Sequence, residues 1–399
     1  MESLDQLKPT ESNLKYGHLF MISTSAISSA SDPQIACSEL KAQLDLSLMT
    51  TIIFYCASSF DLSLLADAIN SHFPDNECVG CTTAGEFNGA GYETDTIVAV
   101  GFHDSCFAIQ STLIENLTEF STFDAQKTIN SLRESIAEKA LAHIDSNSFI
   151  FSLVDGLSAK EEVFLTNLDT FTNGIPHFGG SAGVGLDGNK THVFYDGKFR
   201  TSAAIVMFIN TKQKFSIFSV NHVDQCRSKL VVTDADARTR QVFEINGEPA
   251  ASVYAELMGL SVDELDAEVF SLHPLAVKIG RDYYIRSIQR VNKAFYSLSF
   301  YCAVDKGIVL NEVSLVDINM PLLKKLQSIR NSLGSPHMVM GCDCFLRRIA
   351  SVSKGVIDKT HAIQSEFNLV GFNAYGEHIN GLHLNQTFTG VYISEEAYE

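Results

Sequence analysis

Three stretches of the chain repeat one plan: an apolar strand, an amphipathic helix, and a short strand that runs into a turn of small residues. The first turn reads Gly80-Cys81-Thr82-Thr83-Ala84-Gly85-Glu86 and the second Gly179-Gly180-Ser181-Ala182-Gly183. The third reads Gly371-Phe372-Asn373-Ala374-Tyr375-Gly376-Glu377-His378 and continues through Gly381-Leu382-His383-Leu384-Asn385-Gln386-Thr387. In copies one and two the interval from first strand to glycine turn is about 30 residues, the size of a βαβ unit. Such a repeat restricts the fold to sheets with helices packed on them.

The strands that open the copies are Thr51-Ile52-Ile53-Phe54-Tyr55-Cys56, Phe149-Ile150-Phe151-Ser152-Leu153-Val154 and Met338-Val339-Met340. Their β-branched and aromatic content predicts burial. Helices are expected over 61–73, 123–144, 161–171 and 345–367, and a hairpin is expected from strands 96–100 and 107–109. A closing strand is expected over 383–393. At 399 residues two domains are expected. The boundaries read as a polar tail at 1–17, an N-terminal domain at 18–220 and a C-terminal, ligand-binding domain at 221–394. The fold class is α/β: two α/β domains with mixed β-sheets flanked by helices, built from repeated βαβ-like units.

Composition narrows the function. A net charge of −18 disfavours nucleic acid and anionic membrane surfaces as partners, since both demand clustered Lys and Arg. No signal peptide or apolar span is legible. Nine cysteines, odd in number and scattered, do not read as a disulfide framework, so a reduced cytoplasmic setting is expected.

The motifs exclude more than they assign. Gly371-x4-Gly376 has the glycine spacing of a phosphate loop, but Glu377 stands where such a loop carries Lys and would repel a phosphate. Cys78-Val79-Gly80-Cys81 runs along a strand rather than opening a helix, so it lacks the dipole that activates a redox thiol. Cys342 and Cys344 face one side of an extended stretch, but two thiolates do not close a zinc site. A thiol or metal switch on Cys78, Cys81, Cys342 and Cys344 stays open as an alternative. No nucleophile elbow or zinc-hydrolase motif appears, and no turnover is expected. His383, flanked by apolar residues with His378 and Tyr375 upstream, stands out among the histidines; His273 and His192 are comparable. Arg281, Arg286, Arg347 and Arg348 are the cations placed to meet a ligand carboxylate.

The turn motifs, together with Thr191-His192-Val193-Phe194-Tyr195-Asp196-Gly197 and His273-Pro274-Leu275-Ala276-Val277, resemble the FIST family of sensory proteins over roughly residues 18–394. Val184-Gly185 departs from the family pattern, which carries an acid there. Gly341-Cys342-Asp343-Cys344-x-x-Arg347-Arg348 and Tyr375-Gly376-Glu377 with His383-x-Asn385-Gln386-Thr387 resemble its nitric-oxide-sensing haemoprotein branch. That resemblance implies a cytoplasmic sensor with haem b, an axial histidine chosen from His383, His192 and His273 in that order, and arginines for the propionates. It implies nitric oxide as ligand, and a histidine kinase or a diguanylate cyclase or phosphodiesterase as partner. A homo-oligomer is compatible with it. The alternative from the same segment is a sensor for a small metabolite such as an amino acid, held by Asn373, Tyr375, Asn385 and Thr387 without metal.

Overall fold

The computed structural model describes residues 22–185 and 189–398; the expected polar tail at 1–17 lies outside them. The chain is a ring of three units with one plan each. Unit one runs through strand Ser23–Ser28, helix Pro33–Gln43, strand Met49–Ala57, helix Leu62–His72 and strand Glu77–Thr83, then hairpin Glu86–Asn88/Gly91–Glu93 and strand Ile97–His103. Unit two repeats this order with Phe107–Ile114, helix Thr122–Ala137, Ser148–Val154, helix Glu161–Asp169, His177–Ser181, hairpin Val193–Tyr195/Lys198–Arg200 and Ala204–Thr211. Unit three has Gln213–Val220, helix Met320–Leu333, Pro336–Cys344, helices Phe345–Ser353 and Ile357–Glu366, Leu369–Ala374, hairpin Glu377–Ile379/Leu382–Leu384 and Phe388–Ala397.

Each unit builds four strands of a six-stranded mixed sheet, and the hairpin of another unit supplies the last two. The hairpin of unit two pairs on unit one, with Val193 opposite Cys81. That of unit three pairs on unit two, with His378 opposite Gly179. That of unit one pairs on unit three, with Phe87 opposite Gly371. The exchange is cyclic, and strand pairing therefore crosses position 220 in both directions. The central strands of each unit are parallel and largely buried on both faces, which is why their opening strands read as mostly apolar runs. Alternate side chains serve two cores. Tyr55, Phe151, Phe178, Met340, Cys342 and Phe372 meet in one core shared by all three units. Phe54, Ile150 and Val339 face the helices of their own units.

Residues 223–315 form an inserted domain between the first strand of unit three and its first helix. Its antiparallel sheet runs in the order Asp282–Arg286, Leu275–Ile279, Val309–Leu315, Val223–Asp236, Gln241–Ile245, Ser297–Phe300, Ile288–Asn292. Helices Ala250–Met258 and Ala267–Leu272 cover it through Tyr254 and Phe270. Asn246 and Gly247 both have positive φ, 55° and 82°, the geometry a two-residue hairpin turn requires. Among the described residues no helix is long and apolar enough to cross a membrane.

The helix expected over 123–144 ends at Ala137, and three further expected elements differ in pairing or continuity. The strands at 97–103 and 107–114 do not pair with each other: the first pairs with Ser23–Ser28 and Met49–Ala57, the second with Ala204–Thr211. The tight turn between them passes the chain from one unit to the next. The helix at 345–367 breaks at Gly355, whose φ is 63°, into two helices. The closing strand breaks near Gln386, φ 48°, so that Leu382–Leu384 joins the sheet of unit two while Phe388–Ala397 stays in that of unit three.

Candidate functional site

The three small-residue turns meet where the parallel strands end. Equivalent backbone positions bond head to tail around the ring: Ala84 N to Asn373 O at 3.1 Å, Tyr375 N to Ser181 O at 3.2 Å, and Gly183 N to Thr82 O at 2.9 Å. Small residues are needed because the turns touch; a Cβ on Gly183 would stand 2.8 Å from the Ala84 nitrogen. Glu86 and Glu377, which open the exchanged hairpins, point inward rather than at a ligand. The Glu86 carboxylate accepts from the Thr83 hydroxyl and from Thr96 Oγ1 at 2.7 Å. Glu377 accepts from Thr387 N at 3.1 Å and Oγ1 at 2.8 Å. Burial pushes Glu86 up to about 7, offset in part by those hydroxyls, and holds Glu377 well above the usual range.

Over the turns of units one and two lies a cleft of about 340 Å³, bounded by Ala84, Thr94, Val184, Gly185, Phe345, Arg348, Ile349, Val352, Ser353 and Glu268. The location is where open α/β sheets take their ligands, beyond the carboxyl ends of parallel strands. The walls are apolar with a few polar groups, as small-molecule sites are. Helix Phe345–Ser353 supplies one wall and carries Arg348 on it. The Arg348 guanidinium donates only to neutral oxygens: Ala84 O at 3.4 Å, Glu93 O at 3.3 Å and Asn373 Oδ1 at 3.3 Å. It lies 5.6 Å over the Tyr92 ring. Among the described residues no carboxylate lies within ion-pair distance of it, though its charge lowers the buried Glu86 and Asp343 carboxyls from farther off. Glu268, from the inserted domain, also lines the cleft and accepts from the hydroxyl of Ser353, at the end of the Arg348 helix.

The other sequence-predicted residues are dispersed. Tyr375 lies under the cleft and donates from its hydroxyl to Val184 O at 2.8 Å. Arg347 is sealed in an ion pair with Asp343 at 2.7 Å, both nearly inaccessible, and also donates to Ile318 O. Asn385 accepts from Ser287 N at 3.2 Å and, with Thr387, borders a separate polar cavity of about 300 Å³ beside Asp282 and Tyr283. Arg281 and Arg286 belong to the inserted hairpin and do not border the cleft. His192 is half-buried on the hairpin of unit two, edge-on to Phe199. His273 is exposed at the end of helix Ala267–Leu272. The three histidines thus occupy three different bodies, and the described residues hold no cluster of three metal-binding groups. Burial raises the thiols of Cys81, Cys342 and Cys344 well above their ordinary value and that of Cys78 to about 12. Thiol switching and metal binding both need the thiolate.

His383 is the residue on which the fit of haem can be judged. Its Nδ1 faces Glu162 Oε1 at 3.1 Å and its Nε2 has no partner, the pattern of an imidazole oriented by a carboxylate to ligate. Yet Nε2 packs against the backbone of Gly376, where a Cβ would stand 2.0 Å from it. A porphyrin needs open space beyond that nitrogen, and the folded hairpin fills it. Haem does not fit His383 in this conformation. Close by, a chain the sequence did not reveal links His177 Nε2 to Ser152 Oγ at 2.8 Å, Ser152 to His378 Nδ1 at 3.2 Å, and His378 Nε2 to Ser181 Oγ at 3.0 Å. Desolvation holds His177 down to about 3 and His378 well below the ordinary value, so both are neutral, hydrogen-bonded core residues.

The FIST N domain matches residues 50–248 and the FIST C domain residues 250–380. The chain belongs to the FIST family. FIST domains carry a sensory signalling role, and the FIST C match includes the Arg348 helix, Glu268 and the third turn. An uncharacterized protein of Methanocaldococcus jannaschii is 22% identical to this FIST protein, covering 83% of this chain and 70% of that one. Among solved structures, a cyanuric acid hydrolase from A. caulinodans is similar at a TM-score of 0.37 and 7% identity, covering 94% of this chain and 99% of that one. A second cyanuric acid hydrolase structure is similar at 0.35 and 8%. Likeness at those scores carries no statement about activity.

Proposed function

We propose that this FIST protein is a small-metabolite sensor whose ligand is an α-amino acid with an apolar side chain, bound in the cleft and not turned over. The observation that carries the reading is Arg348: a partly buried guanidinium without a carboxylate partner among the described residues, in an apolar cleft at the strand ends. A carboxylate that replaced its long bonds to neutral oxygens would make shorter, charge-assisted ones. Phe345, Ile349, Val352 and Val184 would take the apolar side chain, and Glu268, also on the cleft lining, would take the ammonium group.

A thermal-shift screen over leucine, valine, methionine and phenylalanine tests this. A ligand at a hundred times its dissociation constant stabilises by about 2.7 kcal/mol, which is readily seen. Arg348→Met should weaken binding roughly ten- to hundredfold, the worth of a lost charge-assisted bond. Indifference of the wild-type protein to all four sinks the reading.

A second reading, a nitric oxide sensor with haem on His383 acting on a histidine kinase or a cyclic-di-GMP enzyme, is favoured by one observation: the unpartnered Nε2 behind a carboxylate-held Nδ1. It requires hairpin Glu377–Ile379/Leu382–Leu384 to lift from Gly376. Protein produced with haem supply would then show a Soret band that His383→Ala removes; no such band ends this reading.

A further inference from the structure

Among the described residues the inserted domain touches the ring through Ser287 N, which donates to Asn385 Oδ1 at 3.2 Å, and meets it in two further places that bear on the cleft. One is the cleft, where helix Ala267–Leu272 brings Glu268 to Ser353 and Gln386 Nε2 donates to Phe270 O at 3.2 Å. The other centres on Arg240, in the turn between strands Val223–Asp236 and Gln241–Ile245. This side chain is nearly inaccessible and donates to Glu161 Oε2 at 2.6 Å, Glu162 Oε2 at 2.7 Å and Tyr301 O at 2.6 Å. The second Glu162 oxygen accepts from Ala303 N at 2.8 Å and faces His383 Nδ1 at 3.1 Å.

Three bodies therefore converge on two adjacent carboxylates. Arg240 and Ala303 come from the inserted domain, Glu161 and Glu162 from the first turn of a helix in unit two, and His383 from the hairpin of unit three. Removing one member of such a pair leaves an uncompensated buried charge, which costs far more than the intact pair contributes. Arg240 also holds φ at 55°, a conformation that a non-glycine residue keeps only where its surroundings impose it.

A short packed path joins the two contacts. The Tyr301 ring lies 5.7 Å from Phe345 and 5.0 Å from Tyr375, and Tyr375 bonds Val184 O. Phe345 and Val184 are walls of the cleft, while the Tyr301 carbonyl is a ligand of Arg240.

We propose that Arg240, Glu161, Glu162 and His383 form a latch that docks the inserted domain on the ring, and that a ligand in the cleft tightens this docking. The docked or released inserted domain is then the output that a partner reads. The coupling rests on the amino-acid reading of the cleft; the latch itself does not. Because Glu268 comes from the inserted domain, a ligand spanning Arg348 and Glu268 binds the docked state better. By linkage, anything that loosens the docking weakens the ligand by the same factor.

The experiment is amide hydrogen exchange on the full-length chain, read at helix Ala267–Leu272, with and without l-leucine, for wild type, Arg240→Gln and Glu162→Gln. Both variants should exchange roughly tenfold or more faster at that helix, though it makes no contact with either substituted side chain, because sub-global release exposes it. Leucine should slow exchange there in wild type and bind both variants more weakly. Faster exchange confined to the Arg240 turn, with unchanged leucine affinity, overturns the proposal. Thermal unfolding monitors whether the ring stays folded; Glu162→Gln, nearly isosteric, serves where Arg240→Gln does not fold. If wild type ignores leucine, the ligand reading falls, and the ligand-free comparison alone decides the latch.

Discussion

Glu86 follows the first glycine turn, and the structure gives it a structural task. It is buried against Thr83 and Thr96 as the first residue of an exchanged hairpin. Burial lifts its pKa from the ordinary 4.5 to about 7 in the folded protein. An acid shifted upward holds its proton better in the folded state, so its contribution is full below pH 4.5 and is lost as the pH rises through about 7. The loss is at most about 3 kcal/mol, the shift converted at about 1.4 kcal/mol per pH unit. Glu86→Gln should therefore match wild type near pH 4.5 and exceed it in stability at pH 8 by up to that amount, measured by urea unfolding at both pH values. Equal pH slopes would contradict the assignment. His177, held at about 3 by burial, acts on the opposite flank, where stability is lost as the pH falls below 6.5. Arg348 was legible as a candidate because a cation beside an apolar helix face is visible in sequence. Glu268 was not, since only docking of the inserted domain brings it to the cleft and to Ser353. His383 was legible as unusual, but the Gly376 backbone against its Nε2 is a tertiary fact with no local signature.

Elements followed the sequence where periodicity decides and departed where a single residue turns the chain. The buried strands were legible because both faces are covered and most positions are apolar. The breaks at Gly355 and Gln386 were not, although Gly355 is a residue that commonly ends a helix and Asn385-Gln386 favours no strand. The second break matters most, for it sends hairpin Glu377–Ile379/Leu382–Leu384 to unit two. Gly376 permits that docking by leaving room for the His383 ring. Gly376→Ala should push the hairpin off its sheet and lower stability by roughly 1–3 kcal/mol, the usual range for overpacking a filled site. An unchanged urea midpoint would show that the hairpin is not packed as described.

At the scale of the molecule, the repeat was visible as three similar turns, but the cyclic exchange of hairpins was not, because pairing between distant strands leaves no trace in local composition. The exchange makes the units interdependent. A fragment of residues 22–220 retains units one and two but loses the hairpin that completes the sheet of unit two, and it leaves the hairpin of unit one without the strand Leu369–Ala374. Such unpaired edges favour aggregation, so the fragment should not unfold cooperatively as a soluble monomer. A monomeric fragment with a sharp thermal transition would show that each unit is self-sufficient. The same interdependence places the cleft where all three units and the inserted domain converge, which suits a site whose occupancy must be felt across the molecule. Isothermal titration of l-leucine into wild type and Arg348→Met tests that central claim most directly. The account predicts saturable one-to-one binding to wild type and roughly ten- to hundredfold weaker binding to the variant; equal affinities, or no heat with either protein, would contradict it.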